Sequence, residues 1–131
     1  MRYLLDTTLL IDHALDRYGA PAMLMELFSA PNELLVCDAI VAEACSRGSD
    51  EELATIGKLI EALEYVSTTP AAARWAGASR RRLGRQSPRK LADSLIAGVA
   101  WDAGATVVTR NPRDFESQGV PVLAYGQPQR P

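Results

Sequence analysis

The sequence predicts an α/β protein, a three-layer α/β/α sandwich around a mainly parallel central sheet. Two observations predict it. Short apolar runs of strand length alternate with longer segments of helical period, and strands joined through helices pair in parallel by right-handed crossovers. The 131 residues, 47% hydrophobic and 23% charged, suit one domain with a genuine core and contain no repeat or low-complexity tract.

Taken in order, residues 2–5 form an apolar run suited to a buried strand, ending at Asp6. Residues 9–18 then read as helix, with Thr7 or Thr8 available as cap. A second amphipathic helix covers residues 20–30, with Met23, Leu24, Leu27 and Phe28 at helical spacing. The next strand is 33–37. Asp38 caps a helix to Arg47 that Gly48 stops. Residues 50–63 carry the stripe Leu53, Ile56, Leu59, Ile60 and Leu63, and 64–67 is a brief strand. Pro70 opens a helix to Leu83. Ser87-Pro88 pairs a cap with proline at the first helical position and starts a helix to Ala103. Residues 106–109 are a strand, 112–116 one helical turn, and 120–123 the last strand. The tail, 126–131, reads as flexible.

Asp6 and Asp12 interrupt the apolar N-terminal run, which argues against a membrane span or signal peptide. Cys37 and Cys45 stand in apolar patterns without CxxC spacing, so both read as buried thiols of a reducing cytoplasm. A net charge of −2 predicts no polyanionic partner, but its distribution is uneven. Residues 65–92 hold no Asp or Glu, and they hold seven of the fourteen Lys and Arg, among them Arg85, Arg89 and Lys90. Such a window is either a solvated helix end or a footprint for phosphates.

Open parallel sheets bind ligands beyond the carboxyl ends of their strands. Asp6 and Asp38 follow the first two strands there, and Thr109, Arg110 and Asn111 follow the fourth. Glu43 lies in the helix after the second strand. Asp93 lies in the helix leading to the fourth, followed by small Ala97 and Ala100 that permit close approach of a neighbour. Each acid has an ordinary alternative as a cap or a solvated helix residue. Together at one sheet edge they would repel unless a cation neutralised them, and hard oxygen donors select Mg²⁺ or Mn²⁺.

Four ordered segments carry a resemblance: LLDTTLLID from Leu4, IVAE ending at Glu43, LADSLIA from Leu91, and VVTRNPRDF from Val107. The chain resembles the PIN-domain family over nearly its whole length, and within it the VapC toxins of bacterial toxin–antitoxin pairs. The resemblance implies a single PIN-like nuclease domain over residues 1–125. It implies Mg²⁺- or Mn²⁺-dependent endoribonuclease activity, an RNA substrate, a small antitoxin partner, a homodimer and a cytoplasmic location. Asp6, Glu43 and Asp93 match the family's catalytic, metal-binding acids, with Thr7 and Thr109 as hydroxyl residues beside them. Where the family often has a fourth acid, this chain has Asn111, with Asp114 three residues on. Arg85, Arg89 and Lys90 then become candidates for RNA contact, and Met23, Met25, Leu27 and Phe28 for part of an antitoxin groove. Two other readings stay open: a non-catalytic RNA- or protein-binding module, and an aspartyl phosphotransfer domain. The latter lacks an Asp where Thr8 stands and a Lys where Arg110 stands.

Overall fold

A computed structural model describes residues 1–84 and 90–128. Five strands form one all-parallel sheet in the order β3-β2-β1-β4-β5: β1 Arg2–Leu5, β2 Glu33–Cys37, β3 Glu64–Val66, β4 Thr106–Thr109 and β5 Val122–Ala124. Among the described residues seven helices connect them: α1 Thr7–Ala14, α2 Ala20–Phe28, α3 Asp38–Ala44, α4 Asp50–Glu61, α5 Pro70–Leu83, α6 Leu91–Ala103 and α7 Arg113–Glu116. The chain runs one way across the sheet from β1 to β3 and the other way through β4 to β5. Right-handed crossovers therefore lay α1–α4 on one face and α5–α7 on the other. Contacts of α1 with α2, α3 and α4, and of α6 with α5 and α7, agree. The predicted three-layer sandwich is the observed fold.

Covering both faces buries the central strands beyond their first residues. Leu4, Leu5, Val36, Cys37, Val107 and Val108 are fully buried, which is why their sequences run apolar instead of alternating. On the α5–α6 face the close approach expected of a small-residue helix is realised. Ala97 and Ala100 are buried, and a Cβ placed on Gly98 would sit 2.5 Å from the Ala72 carbonyl oxygen. Gly98→Ala should therefore force the two helices apart, lowering stability by about 2 kcal/mol in urea unfolding. An unchanged midpoint would show that the contact is not tight.

The differences from the sequence-based expectations have local causes. Helix α1 starts at Thr7 because Asp6 itself takes the N-cap position with extended backbone, so neither Thr7 nor Thr8 caps it. It ends at Ala14, short of residue 18, because Asp16 (φ 48°) and Tyr18 (φ 56°) turn the chain through left-handed conformations. Helix α3 stops at Ala44, before Arg47 and Gly48, with Asp38 as its first residue rather than its cap; the Ser46 hydroxyl donates to the Glu43 carbonyl 2.7 Å away and closes the last turn. Cys45 lies beyond that stop and is exposed, contrary to the buried reading that holds for Cys37. Strand β5 starts at Val122 and not Val120: Pro121 has no N–H to offer, and only its carbonyl joins β4, accepting from the Val107 N–H at 2.9 Å. The Ser87-Pro88 cap lies outside the described residues; α6 is seen from Leu91. Gln127 in the tail is anchored by its side chain to the Arg110 and Tyr125 carbonyls. Of the apolar residues of α2, Leu24 and Leu27 are core, whereas Met25 and Phe28 are exposed. Among the described residues no helix is long and apolar enough to cross a membrane.

Candidate active site

The chain reverses its direction across the sheet between β1 and β4, and beyond the carboxyl ends of these two strands lies a cleft of about 260 Å³. Asp6, Thr7, Glu43, Lys90, Asp93, Asn111 and Asp114 all line it, so the structure brings together acids that lie far apart in sequence. Thr8, Ile11 and Arg47 complete the wall; none of the three stood out in the sequence as a site residue. Arg85 and Arg89 lie outside the described residues. Asp38 does not reach the cleft. Its carboxylate accepts from the Thr68 hydroxyl (2.6 Å) and backbone N–H (3.2 Å), bracing the loop after β3.

Asp6 is the floor. Its backbone N–H donates to the Val108 carbonyl at 3.0 Å, extending the β1–β4 ladder by one residue. Its side chain is buried, with Oδ2 accepting from the Thr109 hydroxyl at 2.7 Å and the Thr8 hydroxyl at 3.2 Å. Each hydroxyl in turn accepts a backbone N–H from the loop after β4: Asn111 N–H to Thr109 (3.0 Å) and Arg110 N–H to Thr8 (3.2 Å). Two threonines thus relay that loop onto one carboxylate oxygen. Burial pushes the Asp6 carboxyl up to about 6; the hydrogen bonds from Thr109, Thr7 and Thr8 oppose the shift, and the charge of Asp93 adds to it.

Asp93 stands in the first turn of α6, half-buried, where Oδ2 accepts the Lys90 backbone N–H at 3.1 Å. Burial raises its carboxyl too; the Lys90 backbone bond opposes this, and the charges of Asp114 and Glu43 add to it. Glu43 projects from α3, and its Oε1 accepts from the Thr7 hydroxyl at 2.8 Å. Neither Arg47 nor Lys90 makes an ion pair with these acids among the described residues, although both line the same cleft. The Lys90 charge lowers the Asp93 carboxyl without reversing the rise.

A pH dependence follows from Asp6. An acid whose folded pKa is raised binds more protons folded than unfolded, so stability is highest below the unfolded pKa and falls as pH rises through the folded one. The metal-free protein should lose on the order of 3 kcal/mol between about pH 4 and pH 7 from this group. Urea unfolding in EDTA across that range should show a clearly larger loss in the parent than in Asp6→Asn, since the raised Asp93 carboxyl remains in both. Equal slopes would place the cause elsewhere.

A second network went unread in the sequence. Asp12 is fully buried in α1 and accepts from Arg17 Nε (2.8 Å), Arg110 Nε (2.7 Å) and Tyr125 Oη (2.7 Å). Burial alone would raise its carboxyl, but the bonds from Arg110, Tyr125 and Arg17 outweigh it and hold the group below the ordinary value. Arg110 also lies over the Tyr18 ring at 4.2 Å. The available signal was an acid on the same helix face as Leu9, where a solvated residue does not belong.

The donor set suits a hard divalent cation. Among the described residues no three His, Cys, Asp or Glu side chains close a cage on a metal by themselves. Mg²⁺ does not need one, because it keeps several waters and takes one or two carboxylates plus phosphate oxygens. A buried carboxylate without an ion pair among the described residues, flanked by three more acids and the Asn111 amide, fits that demand.

Comparison with known proteins agrees with this geometry. The family model described as PIN domain matches residues 3–119. Ribonuclease VapC19 of Mycobacterium tuberculosis is 31% identical over 114 residues, covering 86% of this chain and 90% of the relative. Among solved structures, VapBC2 from Rickettsia felis bound to a DNA fragment of its promoter has a TM-score of 0.77 at 18% identity, covering 95% of this chain and 99% of that one. DNA-bound VapBC from Salmonella typhimurium has a TM-score of 0.75 at 25% identity, covering 95% and 98%.

Proposed function

Because this chain belongs to the PIN-domain family, we propose that it is a VapC-type endoribonuclease, the toxin of a toxin–antitoxin pair, acting with Mg²⁺ or Mn²⁺. The observation that carries this reading is the cleft at the β1–β4 reversal, where Asp6, Glu43, Asp93, Asn111 and Asp114 converge. Asp6 and Asp93 are assigned as the principal metal-binding acids, with Glu43 the third. A divalent cation held there supplies positive charge for the phosphate oxygens and acidifies water.

The protein's own groups supply the rest. Thr109 and Thr8 hold Asp6 Oδ2, which aims its carboxylate into the cleft. Thr7 fixes Glu43 by Oε1 and leaves Oε2 to take the proton from the attacking water. Asn111 offers a neutral oxygen where Asp114 contributes charge. Lys90 and Arg47 on the wall attract the RNA backbone, which the acids alone would repel. Single-stranded RNA is the favoured form, since its backbone bends into a cleft.

The partners of this reading are RNA and a small antitoxin, as the VapBC complexes among its structural relatives suggest. The exposed Met25 and Phe28 of α2 are offered as part of the antitoxin's contact, and a homodimer in the cytoplasm completes the proposal. The test is incubation of a total RNA pool with the protein. Cleavage should require Mg²⁺ or Mn²⁺ and stop in EDTA; cleavage that persists in EDTA would remove the metal from the account.

A further inference from the structure

A second hollow, of about 310 Å³, adjoins the carboxylate cleft and shares Asn111 and Asp114 with it as a common wall. Its other lining residues are Arg110, Pro112, Arg113 and Gln127. The character of the wall changes from one hollow to the next. The first is dominated by acids, and the second contains two arginines. Arg110 is already committed to Asp12 and Tyr18, whereas Arg113 is exposed and forms no ion pair among the described residues.

Gln127 is held in one orientation. Its Nε2 donates to the carbonyls of Arg110 (2.9 Å) and Tyr125 (3.0 Å). Two carbonyl partners can be satisfied only by the amide nitrogen, so the flip state is fixed by chemistry. Both N–H groups are then used, and Oε1 remains as an acceptor without a partner among the described residues. A positive side chain and a fixed acceptor in a hollow beside a phosphodiester-cutting cleft match the two halves of a nucleotide, its phosphate and its base edge.

We propose that this hollow is a nucleotide subsite on the RNA path. It receives the nucleotide next to the scissile phosphate, with Arg113 on a backbone phosphate and Gln127 Oε1 accepting from an exocyclic amine of the base. Cytosine presents its N4 amine to such an acceptor; uracil presents a carbonyl oxygen at that position, which the acceptor repels. The subsite would thus select by base identity at one step from the cut. It rests on the ribonuclease reading for its substrate, and it adds to that reading a determinant of sequence preference.

The experiment measures binding of two dodecamers, oligocytidylate and oligouridylate, to the full chain carrying Asp93→Asn with Mg²⁺ present, so that bound RNA stays intact. Two pyrimidines keep stacking similar. Oligocytidylate should bind about fivefold more tightly, and Gln127→Ala should remove the difference. Arg113→Ala should weaken both RNAs alike and reduce the slope of log affinity against log salt by about 0.7. Both side chains are exposed, so neither substitution threatens the fold. Equal affinities, a preference that survives Gln127→Ala, or an unchanged salt slope in Arg113→Ala would overturn the subsite. The two readings fail separately. If the parent cuts no RNA but the cytidylate preference depends on Gln127, the ribonuclease reading falls and the hollow stands as a base-selective RNA-binding site without a cut beside it. If the parent cuts RNA without any such preference, the reverse holds.

Discussion

Replacing Asp6 or Asp93 by asparagine is expected to lower RNA cleavage by roughly a hundredfold to a thousandfold while leaving the protein folded. The asparagine side chain keeps the shape and one oxygen of each carboxylate but removes the charge proposed to hold a divalent cation. In Asp93→Asn the remaining oxygen can still accept the Lys90 N–H, so the start of α6 is preserved. In Asp6→Asn the amide oxygen can still accept from Thr109 and Thr8, and a neutral group in this buried position relieves the desolvation that raises the parent's pKa. Thermal unfolding of the metal-free Asp6→Asn protein at pH 7 should therefore be no lower than the parent's. The pairing of lost activity with kept stability is what separates a site residue from a structural one. Variants that cut RNA at the parent's rate would remove both acids from the mechanism.

The opposite pairing is expected at Asp12. Asp12→Ala should destabilise the protein by about 3 kcal/mol, because removing one partner of a buried charge network leaves the others uncompensated. Tyr125 Oη would lose a buried bond, and the Arg110 guanidinium would face a cavity. The figure is held to the low end of the range for buried pairs, since Arg17 and Arg110 are partly exposed and can turn toward water. Asp12→Asn should cost less, as it keeps an acceptor. The pH sign is also opposite to that of Asp6. A depressed folded pKa gives stability that is present above the unfolded value, near 4, and is lost as pH falls through the folded one. Urea unfolding at pH 7 and at pH 3 reads both effects. A change below about 1 kcal/mol at pH 7 would mean that the network contributes little to stability.

Much of this architecture is legible from local pattern alone. The bounds of β1, β2 and β4 follow from apolar runs closed by Asp6, Asp38 and Arg110, and α5 opens at Pro70 as expected. The acids are legible for a different reason: each sits at a strand end or in a helix that starts near the sheet edge, so topology gathers them without any knowledge of side-chain contacts. What could not be read depends on distance in sequence. Asp12 is buried because Arg110 and Tyr125, about a hundred residues away, come to it, and periodicity carries no information about them. The early end of α1 rests on left-handed conformations at Asp16 and Tyr18, residue types that do not announce them as glycine would. Arg47 joins the cleft only because α3 stops at Ala44 and redirects the chain.

In the proposed mechanism Asp6 and Asp93 make a divalent-cation site. Calorimetric titration of Mn²⁺ into the full chain at pH 6.0, repeated in buffers of different ionisation enthalpy, tests it most directly. The predicted result is saturable binding with net proton release, because both carboxyls have raised pKa values and the cation displaces their protons, and loss of that binding in Asp6→Asn. Absence of binding at millimolar Mn²⁺, or binding of equal strength in Asp6→Asn, would contradict the account.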